Sequence, residues 1–255
     1  MNIVDDTFMW FCRGRNELWA RELLCSVGSG IGIKLFEDCT TQDIRTCRRN
    51  RLTVLADDSG VNLRMATSLE SKGLRIFGKP LPKGYSETIG WLKAYSSTTE
   101  KDVSSALEKV EAEYASAVAK SRGIIEGIRV MIIATRTFRI DWIIECLLDA
   151  GASVEEVCIF RVGPGGSDFN TRFSEKVRFR WDLNVPDITT EVENVDPDIV
   201  IGSPNLVSRL KCRVAHIPQE SLTHKASAAF LEYVCSMLIV PPESGWKSWR
   251  SPHGL

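Results

Sequence analysis

The sequence lacks several features that would point directly to a class of function. No two of its eight cysteines are spaced as C-x-x-C, and no cysteine and histidine have zinc-finger spacing. No apolar run approaches the roughly 20 residues that a membrane-spanning helix needs. The formal net charge is only −1, so no strong field would attract nucleic acid or an anionic membrane. Since two acids precede the first apolar stretch, the N-terminus is unlike a signal peptide, and we expect a cytoplasmic protein with no nucleic-acid or membrane partner.

Length and composition are those of a globular protein with two domains of ordinary size. A chain of 255 residues can bury two cores, and 44% hydrophobic with 25% charged residues is typical of soluble proteins. Several cysteines fall in predicted strands or on apolar helix faces, so we interpret most of the cysteines as buried thiols in a reducing compartment. Cys39 and Cys47 flank a short predicted helix and are the two most open to another role.

One architecture occurs twice along the chain. Residues 8–96 and 127–240 each carry alternating strand and helix signals. A buried strand followed by a polar turn and an apolar helix is the building block of a parallel sheet. Between the two runs, residues 97–122 show an apolar stripe at helical spacing and predict one long helix. The sequence therefore predicts an α/β fold of two Rossmann-like domains with parallel sheets, 1–96 and 97–255, joined by a long helix.

Short apolar runs mark the strands of this pattern. The predicted strands are 8–12, 31–36, 51–58 and the start of 74–96, then 129–135, 153–162, 196–203 and 213–218. The run at 129–135 is almost continuously apolar, as expected for a parallel strand that is covered on both faces. Open parallel sheets bind ligands at the carboxyl ends of their strands, so the turns after these strands are the candidate sites.

Four segments carry a resemblance to nitrogenase component 1 and its relatives. TTQDIRTCRRNRLTVLADD (40–58) resembles the family's T-x-x-E-[IL] … A-x-L-N-L-V, and GLRIFGKPLPKGYSETIGWLKAYS (73–96) is similar to its G-I-P … P-x-G … T-x-x-[WF]-L. The family's last domain begins with the pattern L-x-G-K-R-V … L-x-x-L-G-M-E-V-V. Residues 124–157 resemble it, with the sequence IIEGIRVMIIATRTFRIDWIIECLLDAGASVEEV. DPDIVIGS (196–203) matches x-P-D-L-[IV]-I-G. No single motif is specific, but their order and spacing identify the chain as a member of this family.

The resemblance implies a role in reduction. In this family a separate ATP-driven iron–sulfur protein delivers electrons to component 1. We therefore expect the chain to be a subunit of a nitrogenase-like reductase complex that reduces a small molecule or a tetrapyrrole, and we do not expect dinitrogen as its substrate. Two alternatives stay open: a non-catalytic scaffold or accessory protein for metallocofactor assembly, and a free-standing protein that binds a small ligand.

The chain also departs from the family pattern. Family members usually have three such domains, and the first carries the cysteines that bind an iron–sulfur cluster. This chain resembles a shortened member with the second and third domains only. We therefore expect an iron–sulfur cluster or other metallocofactor only together with a partner chain. The implied partners are another copy of this chain or a nitrogenase-like partner subunit, besides the ATP-dependent iron–sulfur reductase.

The resemblance assigns residues to a pocket. In the family a cysteine thiolate on the turn after the L-N-L-V strand holds one end of a metal cluster, and the matching position here is Asp57. Carboxylates are poor ligands for soft iron–sulfur sites, so no metal ligand is assigned and Asp57 becomes the candidate catalytic proton donor. His224 lies about one residue from the position of a pocket histidine. Arg139 matches an arginine that lines the pocket.

Asp58, Arg136 and Ser203 complete the candidate ligand-binding set. An arginine at the carboxyl end of a strand could clamp a carboxylate or a phosphate. A ligand is expected between the two domains, on three turns: 57–60, 135–139 and 202–205.

Each of these assignments has a structural alternative. Asp57 and Asp58 could cap the following helix, since acids favour its positive end. His224 could be a solvent-facing residue at a helix start. Arg139 could pair with Asp141 on a helix surface.

Overall fold

The computed structural model describes residues 1–4, 15–35, 40–47, 52–57, 60–135, 139–160, 171–207, 210, 212–218 and 221–240. Contacts group the chain into two compact units. Unit 1 is Met1–Tyr114 with Gln219–Ala226, and unit 2 is Ala115–Pro218 with Ser227–Leu255. The division into domains 1–96 and 97–255 stays a prediction.

In the described part of unit 1, three strands form a parallel sheet. The strands are β1 (Asn2–Val4), β2 (Lys34–Leu35) and β3 (Thr53–Leu55), in the order β2-β1-β3. The helices are α1 (Arg15–Ser26), α2 (Thr41–Thr46), α3 (Gly60–Ser71) and α4 (Gly84–Thr99). The next helix, α5 (Ser104–Ile125), carries the chain from unit 1 into unit 2.

Apolar side chains cover both faces of this short sheet. Ile3 and Val54 belong to one buried cluster, whereas their neighbours Val4 and Leu55 belong to another. Alternate residues of a strand point to opposite faces, so a sheet covered on both sides reads as a continuous apolar run. The larger cluster contains Trp91 of α4, which is 1% exposed and stacks on Tyr95 of the same helix.

The long predicted helix begins later than its sequence pattern suggested. Residues 97–99 belong to α4, which ends at Glu100 in the left-handed conformation, φ 58°. Asp102 then accepts hydrogen bonds from the backbone N and the hydroxyl of Ser104, at 2.9 and 2.7 Å, at the start of α5. The prediction of one helix from residue 97 is therefore wrong at its first turns, and that from residue 104 onward is confirmed. The short helix α2 begins with a reciprocal capping box between Thr40 and Asp43.

In the described part of unit 2, five strands form a second parallel sheet. They are β4 (Arg129–Thr135), β5 (Ser153–Phe160), β6 (Arg178–Leu183), β7 (Ile199–Gly202) and β8 (Val214–His216). The helices are α6 (Asp141–Asp149), α7 (Val185–Val195), α8 (Pro204–Val207) and α9 (Thr223–Ile239), of which α9 begins in unit 1. Among the described helices, none is both long and apolar enough to cross a bilayer.

The strand order in unit 2 is β6-β5-β4-β7-β8, and every pairing is parallel. In chain order this is 3-2-1-4-5, the doubly wound arrangement. The central strand β4 is buried from Val130 to Ala134, as its continuous apolar run predicted. The α/β fold with two Rossmann-like parallel sheets is thus confirmed.

Three elements of unit 2, β6, α7 and α8, were not predicted. The first predicted strand, 8–12, lies outside the described residues, and β1 occupies Asn2–Val4 instead. In the predicted strand at the start of 74–96, only Ile76 makes a bridge, to Thr53.

After β8 the chain returns to unit 1 through residues 221–225, which we call the return segment. The side-chain oxygen of Asn16 on α1 accepts hydrogen bonds from the backbone N of Ser221 and of Leu222, at 3.2 and 3.1 Å. Asn16 is 2% exposed, so this oxygen has little water available as an alternative partner. Leu222 joins the core of unit 1, and Thr223 N donates to Pro82 O at 2.8 Å.

Candidate functional site

The carboxyl end of β3 places Asp57 at the switch point of the unit 1 sheet. The chain adds β2 on one side of β1 and then β3 on the other side, so the strand order reverses between β1 and β3. Ligands of open α/β sheets bind at such a reversal. Asp57 is half-buried, and its Oδ1 accepts a hydrogen bond of 2.8 Å from Nδ2 of Asn62 on α3. The contact ties the carboxylate to the first turn of the following helix. Asp58 lies outside the described residues.

The carboxyl ends of three neighbouring strands form a second candidate surface, within unit 2. It consists of Thr135 at the end of β4, Arg139 just beyond it, Ser203 after β7, and His216 at the end of β8, and we call it the unit 2 edge. Strands β4 and β7 flank the switch point, because the chain adds strands to one side of β4 and then to the other. Parallel register pairs Ile133 of β4 with Gly202 of β7. The structure thus brings the turns of Arg139 and Ser203 to one edge, while Arg136 lies outside the described residues.

Close packing fixes the backbone at the centre of this edge. A Cβ atom on Gly202 would lie 2.5 Å from Val207 Cγ1 and 2.8 Å from the carbonyl oxygen of Ile133. Only glycine fits in β7 at this point, because Val207 of α8 and the backbone of β4 both lie against it. Ser203, directly after this glycine, is half-buried, and its carbonyl accepts a hydrogen bond of 3.1 Å from Val207 N.

A polar cluster anchors the start of α6 beside Arg139. Asp141, the first residue of α6, accepts a hydrogen bond of 2.7 Å from the Thr171 hydroxyl and one of 3.2 Å from Arg172 N. The guanidinium of Arg172 lies 3.0 Å from Glu145 Oε1. These contacts bind the segment after β5 to the helix that follows β4. Arg139 itself is half-buried and lies two residues before the start of α6.

His216 is a residue of this edge that the sequence interpretation missed. It pairs in register with Gly202 and is exposed, whereas Ala215 before it is fully buried. The only signal in the sequence was a polar residue at the end of an apolar strand.

His224 lies in unit 1, at the start of α9. It is 6% exposed, so its alternative interpretation as a solvent-facing histidine is wrong. Its Nε2 lies 2.8 Å from Oε2 of Glu113 on α5, and Nδ1 is buried. Burial lowers the pKa of the imidazole despite the opposing effect of Glu113, and the charges of Lys225 and Lys109 lower it further. His224 also lines a cleft between α1, α5 and the return segment.

The donor set does not fit a nitrogenase-type metal cluster. Asp57, which the resemblance sets at the position of the family's thiolate, is a carboxylate that accepts a hydrogen bond from Asn62, and Nε2 of His224 lies 2.8 Å from Glu113 Oε2. Within the described ranges, no group of three or more His, Cys, Asp or Glu side chains is arranged to hold a metal ion.

Two of the described cysteines, Cys146 and Cys158, are also poor candidates for soft-metal ligands. Burial raises the pKa of the Cys146 thiol and, together with the charge of Glu156, that of Cys158, whereas a metal ligand must be a thiolate. Cys12 and Cys39 lie outside the described residues. The buried cysteines are Cys47, Cys146, Cys158 and Cys235, Cys212 is partly buried, and Cys25 is exposed.

Comparison with known proteins agrees with this architecture. The sequence model of the family described as nitrogenase component 1 type oxidoreductase matches residues 1–222. Two structures of nitrogenase Cp1, at pH 5 and at pH 6.5, superpose with a TM-score of 0.66 at 12% identity. Each superposition covers 99% of this chain but only 58% or 59% of the nitrogenase chain. This chain therefore spans less than two thirds of the length of those proteins.

A second kind of protein shares the fold less closely. An ABC transporter substrate-binding protein from Listeria monocytogenes EGD-e gives a TM-score of 0.50 at 10% identity, with 93% of this chain and 98% of that one covered. At such identities the likeness shows the fold alone. No curated protein sequence matches the chain.

Proposed function

Because this chain belongs to the nitrogenase component 1 type oxidoreductase family, we propose that it is a subunit of a nitrogenase-like reductase complex. The observation that carries the proposal is the family match over residues 1–222. In the proposed reaction an ATP-driven iron–sulfur protein supplies the electrons, and the substrate is a small molecule or a tetrapyrrole. Partner subunits or further copies of the chain complete the complex, which we expect to be cytoplasmic.

The unit 2 edge is the proposed substrate-binding surface. Its position at the switch point of a doubly wound sheet supports this placement. The guanidinium of Arg139 would provide a fixed positive charge and two parallel donors for a carboxylate or phosphate of the substrate. The hydroxyl of Ser203 would add a donor on the neighbouring strand.

Asp57 is the proposed proton donor, at the switch point of unit 1. Reduction of a double bond by two electrons also consumes two protons, and a carboxylic acid positioned at the reacting group can provide one. The hydrogen bond from Asn62 fixes the orientation of the carboxyl group. Since the described residues do not fit an iron–sulfur cluster, any such cluster would belong to a partner chain in this proposal.

The test is electron transfer with a purified ATP-driven iron–sulfur protein of the same family. Under anaerobic conditions, with co-purifying partner subunits present and a reducible small molecule or tetrapyrrole supplied as the electron acceptor, we expect the complex of this chain to bind that protein. The complex should also accelerate the ATP-dependent oxidation of the reduced cluster, followed by visible absorbance. Asp57→Asn should slow turnover and leave complex formation intact. If the chain neither binds nor oxidises the reduced protein, the reductase proposal fails. Stoichiometric iron without electron transfer would favour the scaffold instead.

Arg139→Ala is the corresponding test of the binding surface. Loss of a charged hydrogen bond should weaken an anionic substrate by about 2–3 kcal/mol, or roughly 30- to 150-fold in KM. Arg64→Ala, which removes an exposed arginine from α3, is the matched control. If the Arg139 variant is less stable than the wild type but binds the substrate with unchanged affinity, the residue is structural.

A further inference from the structure

The end of β8 presents an imidazole to the surface that we propose binds substrate. The register pairs Val200, Ile201 and Gly202 of β7 with Val214, Ala215 and His216 of β8. His216 is therefore level with the last residue of β7, one position before Ser203.

The backbone of His216 is fixed from two sides. Its N–H donates a hydrogen bond of 3.1 Å to the phenolic oxygen of Tyr233 on α9. The next residue, Ile217, donates its N–H to Gly202 O at 3.0 Å. Tyr233 in turn packs against Phe230, whose ring is 2% exposed and contacts Trp142 of α6. The Cα of His216 is thus held to the sheet and, through Tyr233, to a buried aromatic group.

Exposure alternates at this strand end. Ala215 is fully buried and Ile217 is 8% exposed, whereas His216 between them is exposed. An exposed, chemically versatile side chain on a rigid backbone is how binding residues are commonly presented. Beside it, Gly202 carries no side chain that could cover the imidazole.

From this geometry we propose that His216 is a substrate-contacting residue that, with Ser203 and Arg139, binds an oxyanion group of the substrate. Imidazole N–H, hydroxyl O–H and guanidinium N–H are all donors, and carboxylate or phosphate oxygens accept from each of them. The three residues come from neighbouring strand ends: β8, β7 and the turn after β4. Tyr233 is a positioning residue, because it fixes the backbone of His216 rather than the ligand.

The inference rests on the proposed location of the binding surface and is independent of the electron-transfer partner. It narrows the substrate class to molecules with a carboxylate or a phosphate. A failure of electron transfer would leave the oxyanion site standing, whereas loss of oxyanion binding would not affect association with an iron–sulfur protein.

Imidazole NMR of the whole chain tests the inference. With ¹⁵N-histidine labelling, the His216 resonance is identified by its loss in His216→Asn. Sodium phosphate and sodium acetate are titrated separately at constant ionic strength. We expect the His216 signal to shift and saturate with at least one anion, and the anion that saturates distinguishes phosphate from carboxylate recognition. The signal of buried His224 should stay unchanged.

Three variants sharpen the result. Arg139→Ala should weaken the saturating anion at least tenfold, and Tyr233→Phe should weaken it several-fold while the His216 resonance persists. Arg64→Ala, which removes an exposed arginine from α3 in unit 1, makes the same chemical change as Arg139→Ala and should leave the titration unaltered. Absence of saturation with both anions, or an equal response of His216 after loss of Arg139, would overturn the inference.

Discussion

Gly202→Ala should destabilise unit 2 strongly, because the new methyl group has no space. Its Cβ would lie 2.5 Å from Val207 Cγ1 and 2.8 Å from Ile133 O. Neither neighbour can move easily. Val207 is fully buried with a stiff β-branched side chain, and Ile133 lies in the central strand with pairing partners on both sides. Overpacking of this kind costs about 1–3 kcal/mol, and the backbone contact places the expected loss at about 3 kcal/mol.

Urea unfolding followed by circular dichroism measures this loss. With a slope of about 2 kcal/mol per M, a loss of about 3 kcal/mol lowers the midpoint by about 1.5 M. Gly123→Ala is the matched control, since a Cβ added to this helical glycine of α5 would meet nothing within 4 Å. There the same substitution should stabilise by about 0.5–1 kcal/mol through helix propensity.

A double variant separates the two contacts of Gly202. Val207→Ala in the Gly202→Ala background removes the side-chain clash and keeps the clash with Ile133 O, so only part of the stability should return. If Gly202→Ala unfolds at the same urea concentration as the wild type, the close packing does not explain the glycine. The account of how the unit 2 edge is fixed would then be wrong.

Three further predictions concern buried polar groups. Asn16→Ala should lower the free energy of unfolding by about 2–4 kcal/mol, because two backbone amides of the return segment lose their acceptor. Hydrogen exchange in this variant should become faster at residues 221–225 only. Cys25 should react with a thiol reagent in the native state, whereas Cys158 should react only after unfolding; equal rates would contradict its burial. Because the pKa of His224 is lowered in the folded state, the unfolded chain takes up the histidine proton at a higher pH than the folded chain does. Stability should therefore fall as the pH drops below about 6.5 and level off below the folded-state pKa. In urea titrations at several pH values, His224→Gln should flatten this slope.

Much of the fold was predictable because burial on both faces leaves a clear mark in the sequence. The run RVMIIAT at 129–135 coincides with β4, since each of its central residues is covered by neighbours above and below the sheet. The edge strand β6 was missed because its charged residues Arg178, Arg180 and Asp182 interrupt the apolar run. Helix α7 had a usable signal, the capping box of Asn184 and Asp187, which was overlooked.

The candidate site was only partly predictable. The turns of Arg139 and Ser203 could be placed at one edge, because parallel strands end on the same side of a sheet. The partner of His224 could not be inferred, since Glu113 lies 111 residues away in the sequence. His216 was overlooked because its neighbours follow an ordinary strand pattern.

The return segment has a consequence for synthesis on the ribosome. The contact between Asn16 and Leu222 joins residues 206 positions apart. At about 5–20 residues per second, its second half is made roughly 10–40 s after its first. During that interval the first-made unit lacks part of its core, and by its end all the described strands of the later unit have been translated. Unit 1 therefore becomes complete only after residue 222 has been made, and a premature stop codon shortly before residue 221 would remove core contacts from the part of the protein that is made first.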